Sequence, residues 1–186
     1  TAEDHASNPF KRGIEKIKRR GARFVAVNPV RTGYQAVADE WVAIRPGTDG
    51  ALAMALIHCL LRDGKFDWEF LIRYTNAPYL VVQDPGKSGD GLFLRDDRGE
   101  PLIRDTERGA FVQGSCTDVA PALFGSFVGP DGRQVKTAMT LAAERLVDDA
   151  SAPERAAEIC GVSASTIERL AAELAYVAFE ETIEIE

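Results

Sequence analysis

The sequence predicts an α/β fold, in which helices flank an open and mostly parallel sheet. Three observations support this prediction. Two short apolar runs each end in a proline-bearing turn, an almost wholly apolar segment follows the second run, and further helical patterns close the chain. The order helix, strand, link, strand, helix is typical of a doubly wound, Rossmann-like domain. Of the 186 residues 45% are hydrophobic, which is enough for a core.

The first helix and the first strand are marked by their ends. Asn8 is a candidate N-cap, Pro9 suits the first helical position, and Gly21 supplies the stop. The apolar run over 24–27 then has the profile of a short, buried parallel strand. Asn28-Pro29 ends this strand.

The second strand and two helices follow a polar link. The segment 41–44 predicts a short strand, which Arg45-Pro46-Gly47 closes. Thr48-Asp49 caps the segment ALAMALIHCLL, and we expect a buried crossover helix that packs on the sheet and ends at Asp63-Gly64. A further helix is predicted over about 67–74.

Between Tyr79 and about Gly132 the pattern changes to strands and turns. YLVVQD and GLFLRDD predict two strands, and Asp97 to Glu100 resembles a hairpin turn before PLIRD. We expect an irregular β-rich insertion that lies over the α/β core and is not a second domain.

Helical patterns return after Val135. Helices are predicted over about 137–147, from Pro153 to Gly161, and over about 164–179, the last with Ser163 as its cap. The apolar stripe expected on this last helix consists of Ile167, Leu170, Leu174 and Val177. The closing segment EETIEIE alternates as an edge strand does.

These elements divide the chain into three portions. Residues 8–84 form the α/β portion, 85–134 the insertion, and 135–186 a helical continuation of the same domain. The chain begins without Met and stops inside a segment with an ordered pattern. We therefore expect a truncated domain, whose helices pack on neighbours outside this sequence.

Composition and motifs argue against several classes of function. The formal net charge is −7, and neither zinc-ligand spacing nor basic–aromatic alternation is present, so we expect no nucleic-acid partner. No run approaches the roughly 18 apolar residues of a membrane helix, so we expect no direct membrane insertion. The cysteines are scattered and only two histidines occur, so we assign no metal site. No catalytic motif appears, and we assign no catalytic residue.

Two loops form the candidate binding site, because ligands of open α/β sheets bind beyond the carboxyl ends of the strands. These loops cover 28–32 and 45–49. In the first, Asn28 offers a donor and an acceptor, and Arg31 can hold a phosphate through two hydrogen bonds. In the second, Gly47 admits a ligand close to the backbone and the following amides favour an anion. Asp49 can pair with the N1–H and exocyclic amine of a guanine.

A purely structural role explains the same residues. Asn-Pro after a strand is an ordinary turn, and Thr-Asp before an apolar helix is an ordinary N-cap, whose carboxylate the helix amides can satisfy. Spacing alone therefore predicts a nucleotide-binding-like domain with an unknown ligand.

The segment GARFVAVNPVRTGYQAVADEWVAIRPGTDGALAMALIHCLL resembles the molybdopterin oxidoreductase family, typified by dimethyl sulfoxide reductase and formate dehydrogenase. The matching motifs are, in order, Asn28-Pro29, Arg31-Thr32, Ala38-Asp39 and Pro46-Gly47-Thr48-Asp49. DWEFLIRYT and PERAAEICGVSASTIERLAAELA resemble later parts of the family. The resemblance covers most of 8–84 and 137–178.

This resemblance implies a share in binding the molybdenum cofactor bis(molybdopterin guanine dinucleotide). In the family, the two strand-end loops hold the guanosine and diphosphate end of one dinucleotide. Carried over to this sequence, the resemblance nominates Asn28, Pro29, Arg31, Pro46, Gly47 and Asp49.

Departures from the family pattern imply an internal segment of a catalytic subunit. The cluster-binding cysteines, a molybdenum ligand and the C-terminal barrel have no counterpart here. We therefore expect no redox activity from this chain alone, and an iron–sulfur cluster outside it. The expected partners are the rest of the parent polypeptide and electron-transfer subunits, and the isolated segment is expected to self-associate. Neither the substrate nor the compartment follows from this segment.

Two other hypotheses stay open. One is a non-catalytic nucleotide-binding α/β module, which the missing phosphate loop and glycine fingerprint disfavour. The other is an interaction domain that uses the basic first helix and the β-rich insertion.

Overall fold

In the computed structural model, which describes residues 8–31 and 37–182, the chain divides into two compact units. The first unit comprises Thr1–Cys59 and Asp149–Glu186, and the second Leu60–Asp148. The α-helices are α1 (Asn8–Arg19), α2 (Asp49–Arg62), α3 (Trp68–Tyr74), α4 (Ala138–Leu146), α5 (Pro153–Cys160) and α6 (Ala164–Phe179). The strands are β1 (Val25–Val27), β2 (Glu40–Val42), β3 (Leu80–Gln83), β4 (Leu102–Asp105), β5 (Ala110–Gln113), β6 (Ser126–Val128) and β7 (Gln134–Thr137).

The first unit contains the predicted parallel pair. Val25 pairs with Glu40 and Val27 with Val42, so β1 and β2 run in the same direction and end at the same edge. The predicted parallel pairing is therefore confirmed. The larger open parallel sheet is not found among the described residues, whose other two sheets are antiparallel. After α2 the chain passes into the strands of the second unit, and no later described residue adds a third strand to this pair.

Helix α2 begins and ends close to the predicted residues, but only one of its faces is buried. Leu52, Ala55 and Cys59 lie in the interior, whereas Met54 and Ile57 are exposed. The expected burial of this helix is therefore confirmed for one of its faces and is wrong for the other. One face of α2 lies in the core with residues of β2, α5 and α6, and the other face is exposed to solvent.

The core of the first unit joins the early and late parts of the chain. Residues from β2, α2 and the segment between them pack against α5, α6 and their connection. The buried members are Val42, Ile44, Leu52, Ala55, Ala156, Cys160, Val162 and Ile167. The parallel pair is thus held by helices that follow it by more than a hundred residues.

The last two helices carry the predicted caps. Gly161 ends α5 at φ +78°, and its amide donates to the carbonyl of Ala157 over 2.9 Å. The hydroxyl of Ser163 accepts a hydrogen bond from the amide of Thr166 over 3.2 Å at the start of α6. These two signals explain why the predicted bounds of both helices are confirmed.

The predicted apolar stripe of α6 was wrong in its second half. Ile167 is buried as expected, but the row continues through Ala171 and Ala175. Leu174 is 54% exposed, and Val177 is exposed as well. The buried row keeps a strict i, i+4 spacing, which turns Leu174 about 100° away from the core.

The second unit is built on antiparallel strands. The order β3-β7-β6 forms one sheet, and β4 and β5 form a separate hairpin. One core cluster contains Leu80, Val82, Leu94, Leu102 and Val135. The three-stranded sheet draws β3, β6 and β7 from the three predicted portions of the chain, whose bounds stay a prediction.

The segment GLFLRDD does not form a strand, although YLVVQD does. Its backbone makes isolated bridges, Val81 with Phe93 and Arg95 with Pro101. The amide of Leu94 donates to Leu80 over 2.7 Å, and its carbonyl accepts from Leu102 over 2.9 Å. Because this segment changes partner after one or two residues, no continuous ladder develops.

The hairpin turn predicted around Asp97 to Glu100 is confirmed. The amide of Gly99 donates to the carbonyl of Asp96 over 3.0 Å, with Gly99 at φ +84°. The side chain of Asp96 accepts from the amides of Arg98 and Glu100, at 2.9 and 2.8 Å. Of the expected edge strand EETIEIE, Glu180 follows α6 and residues 183–186 lie outside the described part.

Candidate functional site

The two predicted loops leave the same edge of the parallel pair. Val27 is the last residue of β1 and is paired with Val42, the last residue of β2. The amide of Asn28 continues the ladder by donating to the carbonyl of Val42 over 3.2 Å. The loop with Asn28, Pro29 and Arg31 and the segment that leads to Pro46, Gly47 and Asp49 therefore leave the same edge of the pair.

The first loop is a turn held by Asn28. The side-chain oxygen Oδ1 of Asn28 accepts a hydrogen bond from the amide of Val30 over 3.1 Å, an Asx turn in which Pro29 is the middle residue. The backbone carbonyl of Asn28 accepts from Nε1 of Trp41 over 2.9 Å. The side-chain nitrogen Nδ2 of Asn28 donates no hydrogen bond to any described residue, so it can donate to a ligand.

Arg31 lies beyond this turn and is exposed. Its guanidinium carbon lies over the ring of Trp41, 5.6 Å from the ring centroid, which is a cation–π contact. No carboxylate of the described residues pairs with Arg31. Its positive charge is therefore available to an anion at this edge.

The second loop is a tight turn that ends in α2. Both the amide and the hydroxyl of Thr48 donate to the carbonyl of Arg45, over 3.3 and 2.7 Å. Pro46 occupies the second position and Gly47, at φ +77°, the third, as a type II turn requires. A Cβ at Gly47 meets nothing within 4 Å, so its positive φ is what demands glycine here.

Asp49 is the first residue of α2 and is exposed. Among the described residues, no amide of α2 donates to its carboxylate; Ala51 instead donates to the carbonyl of Thr48 over 3.0 Å. The N-cap role considered for the Asp49 side chain is thus not what this helix shows. The carboxylate stays available for a ligand with neighbouring N–H donors.

Arg45 has a role that the sequence did not reveal. Its amide donates to the carbonyl of Cys160 over 2.8 Å, and its guanidinium donates to the carbonyls of Glu158 and Ile159 at the end of α5. A cation at a helix C-terminus is favourable, because the last carbonyls lack partners. The contact spans 113 residues or more, and no local pattern indicates such a pairing.

Two groups of charges hold the other end of the parallel pair. The carboxylate of Asp39 accepts from the amide of Phe24 over 2.8 Å and from Lys18 over 2.9 Å, and these bonds lower the pKa of Asp39. Asp39 therefore joins α1 to both strands. This explains one family motif residue by structure alone.

The second group is a ring of four charged side chains. Arg23 and Arg169 each donate to Glu173 over 2.7 Å, and both also contact Glu40 at the start of β2. Hydrogen bonds from Arg169 and Arg23 lower the pKa of Glu173. These four side chains attach α6 to β2. Glu40 is at the opposite end of β2 from the loops, so this ring is not part of the candidate binding site.

The described residues contain no cluster of three or more metal-ligating side chains. No helix of the described part is long and apolar enough to cross a membrane.

The edge of the parallel pair offers groups that can bind a ligand: an amide, a guanidinium, a carboxylate and a glycine turn. This combination suits a ligand with an anionic part and an N–H-rich part.

Comparison with known proteins finds relatives in one group of enzymes. The chain is 47% identical to a sulfite dehydrogenase subunit of Allochromatium vinosum over its full length, which is 20% of that protein. It is 35% identical to a putative dimethyl sulfoxide reductase catalytic subunit of Halobacterium salinarum, over 85% of the chain and 19% of that protein. It is 31% identical to a tetrathionate reductase subunit of Archaeoglobus fulgidus, over 87% of the chain and 15% of that protein.

The chain thus spans about a fifth or less of the length of these curated relatives. No protein-family model matches it. The solved structure of acetylene hydratase from Pelobacter acetylenicus matches 90% of the chain at 18% identity with a TM-score of 0.48, below the level that indicates a shared fold.

Proposed function

Because this chain belongs to the molybdopterin oxidoreductase family, we propose that it is a segment of a catalytic subunit in which it helps bind the molybdenum cofactor. The part bound here is the guanosine and diphosphate end of bis(molybdopterin guanine dinucleotide). The observation that carries the proposal is the parallel pair β1–β2, which presents both loops at one edge.

The residues at this edge fit such a group. Arg31 has no carboxylate partner and Asp49 no amide partner among the described residues, so a cation and an anion are both left for a ligand. A guanosine diphosphate uses both: a positive group for its phosphates and an acceptor pair for the guanine N–H donors. Inorganic phosphate alone could pair with Arg31, but the negative charge of Asp49 would repel it.

Each nominated residue has one task in this proposal. Arg31 donates to diphosphate oxygens, and Asp49 accepts from N1–H and the exocyclic amine of guanine. Asn28 donates through Nδ2 to the sugar or to a base edge. Pro29 and Pro46-Gly47 fix the turns that hold these groups.

When bound, the cofactor supplies the redox chemistry through its metal, and the chain binds and orients it. In this proposal the metal's ligand, an iron–sulfur cluster and the electron-transfer subunits belong to the rest of the enzyme. The isolated chain is then expected to show no oxidoreductase turnover. The substrate is chosen by groups around the metal, outside this segment.

Calorimetric titration of the chain with GDP, ADP and NAD tests the proposal. We expect GDP to bind in preference to the adenine nucleotides, and Asp49→Ala to weaken GDP binding at least about tenfold while leaving ADP unchanged, because a charge-assisted pair is lost. Glu154→Ala is the matched control, since Glu154 is an exposed carboxylate in the first turn of α5.

Equal binding of GDP and ADP, or an Asp49→Ala variant that keeps the guanine preference, would contradict the proposal. Preference for NAD would favour the non-catalytic nucleotide-binding module. Absence of binding by any nucleotide would favour the interaction domain.

A further inference from the structure

We infer that Trp41 is a positioning residue for nucleotide binding: it holds the first loop in the form in which Arg31 meets a diphosphate. This inference rests on the proposed function and adds a residue that lies outside both loops. Trp41 is the middle residue of β2, paired with Ala26 of β1.

One side chain makes two different contacts with the first loop. The indole Nε1 donates to the backbone carbonyl of Asn28 over 2.9 Å, and the indole ring lies beneath the guanidinium of Arg31 at 5.6 Å. Asn28 and Arg31 are the two residues of that loop with recognition chemistry. Trp41 therefore links the anion-binding side chain to the turn that precedes it.

Packing alone does not account for this tryptophan. Its neighbour Val42 is buried in the core, whereas Trp41 is 36% exposed and is not part of the core cluster. In a strand, adjacent side chains point to opposite faces, so Trp41 faces away from that core. On that face Trp41 lies beside buried Ala26, its partner in the ladder, and its indole makes the two contacts with the first loop.

The chemistry of the contact suits a diphosphate site. An ion pair with a carboxylate would hold Arg31 equally well but would cancel the charge that the phosphates need. A cation–π contact restrains the guanidinium and leaves its full charge and its hydrogen-bond donors for the ligand. Trp41 thus orients Arg31 without competing for it.

The test is a double-variant cycle read by calorimetric titration with GDP and with guanosine. Trp41→Leu removes both contacts, and Trp41→Phe keeps the ring but removes the Nε1 donor. We expect Trp41→Leu to weaken GDP binding at least about fivefold and guanosine binding less than twofold, because guanosine carries no phosphate. Trp41→Phe should restore most of the GDP affinity. With Arg31→Ala already present, Trp41→Leu should change GDP binding less than twofold.

Urea unfolding followed by circular dichroism accompanies each titration, so that a folding defect is separated from a binding defect. Loss of GDP and guanosine binding to the same extent, or an undiminished effect of Trp41→Leu in the Arg31→Ala background, would overturn the inference and leave the proposed function intact. Wild-type chain that fails to bind GDP would overturn both.

Discussion

At the scale of single residues, Gly47 and Gly50 occupy the same turn-to-helix junction for different reasons. Gly47 has φ +77°, a region in which an L-residue is strained, whereas Gly50 lies in the first turn of α2 with no positive φ. Neither position crowds a Cβ, since nothing lies within 4 Å of either. Their substitution by alanine therefore isolates backbone conformation from packing.

We predict opposite effects for the two alanine variants. Gly47→Ala should lower the free energy of unfolding by about 1–2 kcal/mol, because alanine is strained in the left-handed region. Gly50→Ala should raise it by about 0.4–1 kcal/mol, because alanine loses less conformational freedom than glycine on folding and can adopt this helical conformation. Urea unfolding measures both, and a stabilising Gly47→Ala would mean that the turn does not have this geometry.

Another residue shows how partners outweigh burial. Asp105 is fully buried in the second unit, and burial alone raises the pKa of a carboxyl. Hydrogen bonds from the amides of Glu107 and Arg108, and from the Arg108 guanidinium at 2.9 Å, hold the pKa of Asp105 below its ordinary value. Its contribution to stability is therefore present above the unfolded pKa of about 3.9 and is lost as the pH falls through the folded value.

At the scale of elements, helix α6 shows how a sequence pattern can predict the wrong buried face of a helix. Large apolar side chains at 170, 174 and 177 suggest one stripe, but the helix buries Ile167, Ala171 and Ala175. Small residues carry little weight in a hydrophobic pattern, so a row of alanines is easily overlooked. The structure shows that this row, and not the leucine, meets the core.

This assignment of faces predicts that enlarging a small residue of α6 costs more stability than truncating a large one. Ala171→Leu should destabilise the chain by about 1–3 kcal/mol, because a packed site has no room for the added carbons. Leu174→Ala should change stability by no more than about 0.5 kcal/mol, because its side chain is mostly in solvent. Thermal unfolding decides between the faces: a costly Leu174→Ala with a tolerated Ala171→Leu would restore the stripe that the sequence pattern predicts.

Elements with local end signals were predictable, and those that depend on distant partners were not. Gly161 and Ser163 mark their helices within a few residues, as does Asp67, whose side chain caps α3 by accepting from Phe70 over 2.8 Å. The segment around Leu94 has the composition of a strand but finds no continuous partner. Whether a segment pairs as a strand depends on residues far away in the sequence, and the periodicity of the segment itself does not indicate them.

The candidate site follows the same division. The parallel pair was predictable from two apolar runs with turns after them, and its edge followed from strand direction. The support given by Trp41 and Arg45 was not, because Trp41 acts on Asn28 and Arg31, which are 13 and 10 positions away, and Arg45 on residues 113 or more positions away. A signal for Trp41 existed in its large side chain at a strand position next to buried Val42.

At the scale of the whole molecule, the second unit keeps large aromatic side chains in solvent. Helix α3 has no buried residue, and its Trp68, Phe70 and Tyr74 are exposed. Phe70 and Tyr74 contact each other at 5.3 Å between ring centroids. Clusters of exposed aromatics are unusual on monomeric proteins and favour association.

We therefore predict that the isolated chain self-associates in a concentration-dependent way through α3. Sedimentation velocity should show a larger species at tens of micromolar, and the double variant Phe70→Ser/Tyr74→Ser should shift it to the monomer. Leu92→Ser is the matched control, since Leu92 is an exposed apolar residue outside α3. Wild-type chain that stays monomeric, or a control as effective as the double variant, would contradict the prediction.

The anchoring of Arg45 on the end of α5 has a consequence for the order of events during synthesis. When a ribosome has completed both recognition loops, the carbonyls that receive Arg45 are still more than a hundred residues from being made. The second loop therefore lacks the hydrogen bonds from Arg45 to α5 until α5 has been synthesised and has packed against this loop. Under the proposed function, a nucleotide that needs the anchored loop is then acquired only after α5 has been synthesised, and not by the nascent chain as its first strands appear.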